Sequence, residues 1–415
     1  MENRPELLAP VQDWRTLKFI KDIPDAIYFG VQSLNMRQQA NNFLISDLER
    51  ITDYCHSTFS NPIKCYLCTN ILVYNSELEE LRNLISQAKS AGIDGLIVYD
   101  FASIKYAKEF NMEFHISTQA NISNIEAARH FERLGAKRLI LARELSLEQI
   151  MEIRNQLSPK VEIECFIHGA MCTAISGRCY LSASVCDSSE YSANRGKCIQ
   201  PCRREWQVYD DQNHEFIYDG QLFLNAKDLC MIKYIPQLIE ANIDVFKIEG
   251  RMKDPLYVKT VVECYRDAIN SYYNNSYSEE KVKIWLKKLS EVYNRGFHTG
   301  FYFDHPDIDD IELKKRGNVS KTKREYIGRV QDYHENSKTA KIVIEKPNLK
   351  LKKGEKIIIS NKKEFKVLLL ENIFIKGTKV DELSVNKENL PLSITIGLNE
   401  SVNFSDKIYI IEKHR

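Results

Sequence analysis

The 415-residue sequence predicts an α/β chain: a TIM-like (β/α) barrel with a cysteine-rich insertion, followed by a small C-terminal β-barrel domain. Three observations predict it. From Glu6 to about Gly250, short β-rich runs alternate with amphipathic helical stretches, the pattern of a mostly parallel sheet wrapped by helices. Residues 172–223 break the alternation with no convincing regular element, longer than an ordinary loop and therefore a place to look for function. After residue 311 the pattern turns to short strands separated by Gly, Asn, Lys and Pro turns.

In chain order, barrel strands are expected at 6–9, 26–30, 64–73, 95–99, 113–118, 138–143, 161–168 and 244–249. Eight such units in one run suggest a closed barrel. An open doubly wound sheet is the alternative, because a sequence does not show that the ends of a sheet meet. Residues 77–91 and 125–134 carry apolar side chains at helical spacing, and 145–157 adds Ser146 ahead of Glu148 and Gln149, a capped start. Two further helices are expected at 255–274 and 279–293. An acidic stretch at 304–312 runs into Lys314-Lys315-Arg316 and then 321–324, so 312–324 reads as a basic linker between a barrel of 1–311 and a β domain of 325–415. Strands in that domain are expected at 342–344, 356–359, 365–370, 392–396 and 408–411.

The net charge of +1 conceals a division. Residues 1–311 carry 35 basic and 43 acidic side chains, and 312–415 carry 23 and 14, giving −8 and +9. A basic module suits a phosphate-backbone ligand. No window approaches the ~18 apolar residues of a membrane span, and Met1-Glu2-Asn3-Arg4-Pro5-Glu6 has no apolar segment of the secretory kind. The expected compartment is the cytoplasm, where the 11 cysteines call for a reason other than disulfides.

The most specific pattern is Cys172-x6-Cys179-x18-Cys198-x3-Cys202, with Cys230 beyond it. Four thiolates can hold a tetrahedral zinc or an iron–sulfur cluster. Only Cys198 and Cys202 form a short pair, and ligands spread through a long loop suit a cluster better than a zinc knuckle. Cys55, Cys165, Cys186 and Cys264 read as buried apolar residues. Cys65 and Cys68 imitate a metal motif, but residues three apart on a strand point to opposite faces and cannot meet one metal.

The run Glu164-Cys165-Phe166-Ile167-His168-Gly169-Ala170-Met171-Cys172, continued by Gly177-Arg178-Cys179-Tyr180-Leu181-Ser182, resembles the signature of the collagenase-like family of U-type peptidases. Leu7-Leu8-Ala9-Pro10, Asn194-Arg195-Gly196-Lys197-Cys198, Pro201-Cys202-Arg203 and Lys247-Ile248-Glu249-Gly250-Arg251 agree with it, and the resemblance covers residues 4–303. Val11-Gln12 and Pro24 depart from the usual pattern, which puts the shape of the first two loops in question. The resemblance, closest to the tRNA-hydroxylating branch, implies a barrel with an oxygen-sensitive 4Fe–4S cluster. It also implies prephenate as cosubstrate, oxygen-independent hydroxylation of wobble uridine to 5-hydroxyuridine in tRNA, and a paralogous member of the family as a partner. Relatives imply ribosomal RNA or a quinone precursor as alternative substrates. Carried onto matching positions, the cluster ligands are Cys172, Cys179, Cys198 and Cys230, with Cys202 competing for the fourth place.

A barrel places its chemistry at the C-terminal ends of its strands. Those ends read Asn70, Asp100, Gln119, Asn121, Arg143, Glu144, His168, Glu249 and Arg251. Alternation puts Glu164, Phe166 and His168 on one face, and Leu139, Leu141 and Arg143 on one face. His168 is the expected proton-transfer group, with Arg143 and Glu249 as further catalytic residues. Asn70, Gln119, Asn121, Lys247 and Arg251 are expected to bind substrate. Arg143 and Arg251 suit an anionic dicarboxylate through bidentate contact, whereas Lys247 and Glu249 can also satisfy each other. Tyr180 or Trp206 could stack on a pyrimidine. The competing activity is peptidolysis with Cys172 as nucleophile and His168 as its base.

Overall fold

Strands such as Ala26–Phe29 and Gly95–Val98 are apolar and buried at every position, as expected where helices cover one face and a barrel interior the other. The computed structural model describes residues 4–57, 61–212 and 222–413. The barrel wall is β1 (Glu6–Pro10), β2 (Ala26–Phe29), β3 (Lys64–Thr69), β4 (Gly95–Val98), β5 (Glu113–Ile116), β6 (Arg138–Ile140) and β7 (Glu162–Ala170). Its last member comes after β8 (Asp228–Cys230) and is β9 (Val245–Ile248). Each strand pairs in parallel with the next, and β9 pairs in parallel with both β7 and β1. The sheet therefore closes, which removes the open-sheet alternative. β8 lies antiparallel on the far end of β7, and β10 (Phe297–His298) lies beside β8. Three and two residues long, these strands carry too little periodicity to be read from sequence.

Helices α1 (Trp14–Phe19), α2 (Leu48–Ser57), α3 (Leu78–Ser90), α4 (Phe101–Glu109), α5 (Ile125–Arg133) and α6 (Leu147–Gln156) follow in turn. Ser146 caps α6 by accepting from the Gln149 amide, and the Gln149 side chain accepts from the Ser146 amide, which is the expected capping box. Among its described residues, the cysteine-rich insertion contains one short helix, α7 (Leu181–Val185), and several single 3-10 turns. α8 (Ile235–Glu240), α9 (Pro255–Tyr273) and α10 (Glu279–Glu291) complete this part of the chain. The expected strands at 64–73 and 138–143 stop at Thr69 and Ile140, level with the ends of their neighbours β4 at Val98 and β5 at Ile116.

The chain divides into two compact units, 1–13 with 20–319, and 320–415 with α1. The second unit contains β11 (Thr322–His334), β12 (Thr339–Ile344), β13 (Leu349–Lys352), β14 (Lys356–Ser360), β15 (Phe365–Leu369), β16 (Asn372–Ile375), β17 (Thr378–Val380), β18 (Glu382–Val385), β19 (Leu392–Gly397) and β20 (Lys407–Lys413). Eight of these form an antiparallel sheet in the order β15-β14-β20-β11-β12-β19-β16-β17, and β13 pairs with β18. Alternate residues such as Ile327, Ile342, Ile344, Ile394 and Ile408 point into one aliphatic core. Among the described residues no helix is long and apolar enough to cross a membrane.

Candidate functional site

The barrel interior is charged in layers. At the strand starts, Arg138 is 1% exposed and meets Glu6 at 2.8 Å, Glu162 at 2.7 Å and Glu164 at 3.2 Å. Glu164, wholly buried, also accepts from Lys247 at 2.6 Å. Burial alone would raise the Glu164 carboxyl, but Lys247 and Arg138 outweigh it and hold it below the ordinary range. Lys247 is thus paired with Glu164 and not with Glu249, and its ammonium lies 4.3 Å from the Tyr28 ring centroid.

One layer higher, toward the strand C-termini, a cleft is lined by Arg37, Asn70, Gln119, Arg143, Lys247, Glu249 and Arg251 together with Tyr28, Cys68 and Phe166. Arg37 meets Glu249 at 3.3 Å. Burial works to raise the Glu249 carboxyl, and Arg37, Arg143, Arg251 and Lys247 together bring it below its ordinary value. Three arginines and Lys247 thus surround the Glu249 carboxylate, which Arg37 pairs, while Lys247 is itself paired with Glu164. The Arg143 guanidinium lies 4.0 Å from the Phe166 centroid and donates to the Ala170 carbonyl at 2.8 Å. Arg251, 2% exposed, donates to Asn35 at 2.6 Å and Asn42 at 2.8 Å. The Nε atoms of both arginines are buried without a hydrogen-bond partner among the described residues. Excess positive charge and unsatisfied donors at the mouth of a barrel together form a site for an anion.

Asn70 donates to Ser117 at 3.2 Å and to Gln119 at 3.4 Å, and so holds Gln119 on the cleft wall. Asn121 does different work: its amide donates to the Ser176 carbonyl at 2.8 Å and ties the cysteine insertion to the barrel. Asp100 caps α4 through the Ala102 amide. β6 ends at Ile140, so Arg143 stands on the following loop and not on a strand face shared with Leu139 and Leu141.

His168 is where the alternation argument fails. The pairing of β7 with β9 shifts by one residue between Phe166 and His168, a β-bulge that inserts Ile167 and reverses the side-chain parity beyond it. Glu164 and Phe166 face the interior, whereas His168 turns to α9, with Nδ1 3.2 Å from the Tyr265 hydroxyl and its ring against Tyr257 and Phe297. Burial lowers this imidazole to about 4 against the opposing pull of Asp228. It does not line the cleft. Gly169 makes the bulge possible: its φ is +107°, and a Cβ there would lie 2.3 Å from the Glu249 carbonyl oxygen.

In the insertion, Cys172 is exposed and Cys179, Cys198 and Cys202 are half-buried. Burial pushes the Cys198 and Cys202 thiols up, and each is pushed further by Cys172 and Cys179. Thiols crowded in this way favour a cationic core between them. Cys230 sits on β8, buried, with its sulfur 3.9 Å from the Tyr265 hydroxyl. No three of the four grouped sulfurs lie within 4.8 Å of one another. Zinc, with Zn–S bonds of about 2.3 Å, would need thiolates about 3.8 Å apart, whereas a cubane binds each thiolate to a different iron. The four cysteines therefore fit a cluster better than a single ion.

The Asn194-Arg195-Gly196 motif builds this loop. Asn194 accepts from the Cys179 amide at 3.1 Å, Arg195 pairs with Glu77, and Gly196 at φ +76° places its Cα where a Cβ would be 2.2 Å from the Asn35 carbonyl oxygen. Arg203 donates to the Met171 carbonyl and to Asn225. Tyr180 is 76% exposed, and the Trp206 indole donates to the Pro201 carbonyl at 3.0 Å.

Two charged side chains coupled to Glu249 escape sequence reasoning. Arg37 lies in the loop after β2, whose only signal is a polar run at the C-terminal end of a strand. Lys253 has its ammonium 3.0 Å from the Tyr293 centroid. Burial, followed by Arg295, lowers it to about 7, against the pull of Asp228 and Glu249.

A family model described as peptidase family U32 matches residues 13–312. Over 98% of both chains the sequence is 38% identical to an uncharacterized protease of Methanocaldococcus jannaschii and 37% identical to a collagenase of Porphyromonas gingivalis. It is 34% identical to a tRNA hydroxylation protein of Bacillus subtilis, over 85% of this chain and 83% of that one.

Proposed function

The chain belongs to peptidase family U32, and from that premise we propose that it is an RNA-hydroxylating enzyme and not a peptidase. The proposed reaction exchanges the C5 hydrogen of the tRNA wobble uridine for a hydroxyl without dioxygen, giving 5-hydroxyuridine; prephenate is the anionic cosubstrate, whose alcohol carbon gives up the oxygen and takes the hydrogen and the two electrons in return. The observation that carries this reading is the cleft of four cations around Glu249, with unsatisfied arginine Nε donors, beside a four-cysteine insertion. The likeness to a tRNA hydroxylation protein supports it.

In this reading Cys172, Cys179, Cys198 and Cys202 hold a 4Fe–4S cluster, which supplies one-electron chemistry when bound. Arg143 and Arg251 bind the carboxylates of the cosubstrate, and Arg37 keeps Glu249 ionised and oriented. Asn70 and Gln119 supply amide groups for a polar substrate edge. Lys253, whose ammonium burial lowers to about 7 and which feels the Glu249 carboxylate, is the group we assign to proton exchange. Peptidolysis by a Cys172–His168 pair is disfavoured, because the imidazole is turned to Tyr265.

Mass spectrometry of tRNA nucleosides from a deletion strain lacking other hydroxylases tests the reading. Loss of 5-hydroxyuridine, restored by the wild-type gene, is expected. An unchanged level overturns it.

A further inference from the structure

Cys65 looks on its strand like half of a motif shared with Cys68, yet Cys68 lines the cleft and Cys65 faces the other way, toward α2. There it meets donors from other elements. The imidazole Nε2 of His56, near the end of α2, the Cys65 sulfur near the start of β3, and a carboxylate oxygen of Asp94, just before β4, all lie within 4.8 Å of one another. Asp94 Oδ2 is 2.9 Å from His56 Nε2 and accepts from the Cys65 amide at 2.7 Å, so the carboxylate is already oriented. The Cys55 thiol, one residue before His56, is close enough to raise that of Cys65 but lies outside this compact group.

We propose that Cys65, His56 and Asp94, with Cys55 as fourth donor, form a second metal site that takes a zinc-class divalent ion. Two sulfurs, one imidazole nitrogen and one carboxylate oxygen make a tetrahedral set typical of zinc. Two thiolates are too few for a cubane, and the compactness of Cys65, His56 and Asp94 separates them from the wider spread of the insertion cysteines. Both cysteines are 0% exposed, whereas His56 and Asp94 are 37% and 32% exposed, which leaves an ion a route from solvent. The site stands at strand N-termini, the face of a barrel that serves stability. The bound ion ties the end of α2 to β3 and β4. It is independent of the hydroxylase reading.

Elemental analysis of the full-length protein, purified anaerobically and dialysed against zinc and then against buffer, tests the site. About one zinc per chain is expected beside the iron. His56→Ala and Cys65→Ser are expected to lower zinc by at least about tenfold with iron unchanged, and Cys55→Ser to weaken zinc affinity by at least about tenfold. Cys172→Ala is expected to lose iron and keep this zinc. In cobalt-loaded protein the thiolate charge-transfer band should fall to about half in Cys55→Ser. Wild-type protein without bound zinc, or zinc retained in Cys65→Ser, overturns the proposal. If Cys65→Ser fails to fold, the partly exposed His56 decides, and zinc retained by folded His56→Ala overturns it equally.

Discussion

Burial against Tyr257 and Tyr265 leaves His168 uncharged at neutral pH, since its imidazole is lowered to about 4. Its contribution to stability is full above the ordinary value of about 6.5 and is lost as pH falls toward 4, where the unfolded chain takes up a proton that the folded chain refuses. The loss amounts to about 3 kcal/mol. Urea titrations of His168→Asn should show a flatter fall in stability between those pH values than wild type. Lys253 is the contrasting residue. Lowered to about 7, it should appear as an ionisation in the pH–rate profile. Lys253→Met is expected to abolish that ionisation and His168→Asn to leave it, and the reverse pattern would return proton transfer to His168. Arg143→Lys keeps the charge but loses the planar fork over Phe166. It should raise the KM for an anionic cosubstrate by about tenfold or more while iron content stays constant.

At the scale of elements, the bulge in β7 decides which side chains reach the cleft. Gly169→Ala would force a Cβ onto the Glu249 carbonyl oxygen and should lower stability by about 3 kcal/mol or more, read as a fall in melting temperature. The insertion makes an equally sharp distinction. Cys202 shares its surroundings with Cys172, Cys179 and Cys198, whereas Cys230 is built into β8 beside Tyr265. Anaerobically purified Cys202→Ala should lose the brown absorbance near 400 nm, and Cys230→Ala should retain it. A colourless Cys230→Ala with a coloured Cys202→Ala would reverse the ligand assignment.

For the whole molecule, the division between −8 in residues 1–311 and +9 in 312–415 is the basis for proposing that RNA is held by the β unit, which has an aliphatic core of its own. Counterion release then makes tRNA binding steeply salt-dependent. Replacing the exposed Lys350, Lys353 and Lys356 by Gln should weaken binding across tRNA sequences and reduce the slope of log affinity against log salt by up to about 3. An unchanged slope would place RNA binding elsewhere.

Local pattern in the sequence was enough for the eight barrel strands, the capped start of α6 and the cysteine-rich insertion, because periodicity, caps and spacing are properties of neighbouring residues. Closure of the barrel was not local, and neither was anything that depends on it. Lys247 meets Glu164 across 83 residues and Arg251 meets Asn35 across 216, and no short-range pattern carries such pairings. A single inserted residue at Ile167 cancelled a parity argument that held for Glu164 and Phe166, and so moved His168 out of the site. Parity also correctly separated Cys65 from Cys68, but only the packing of α2 on β3 and the pairing of β3 with β4 brought His56 and Asp94 to the sulfur. Residue types and their order determined what chemistry this chain has available, and the fold decided which of those groups meet.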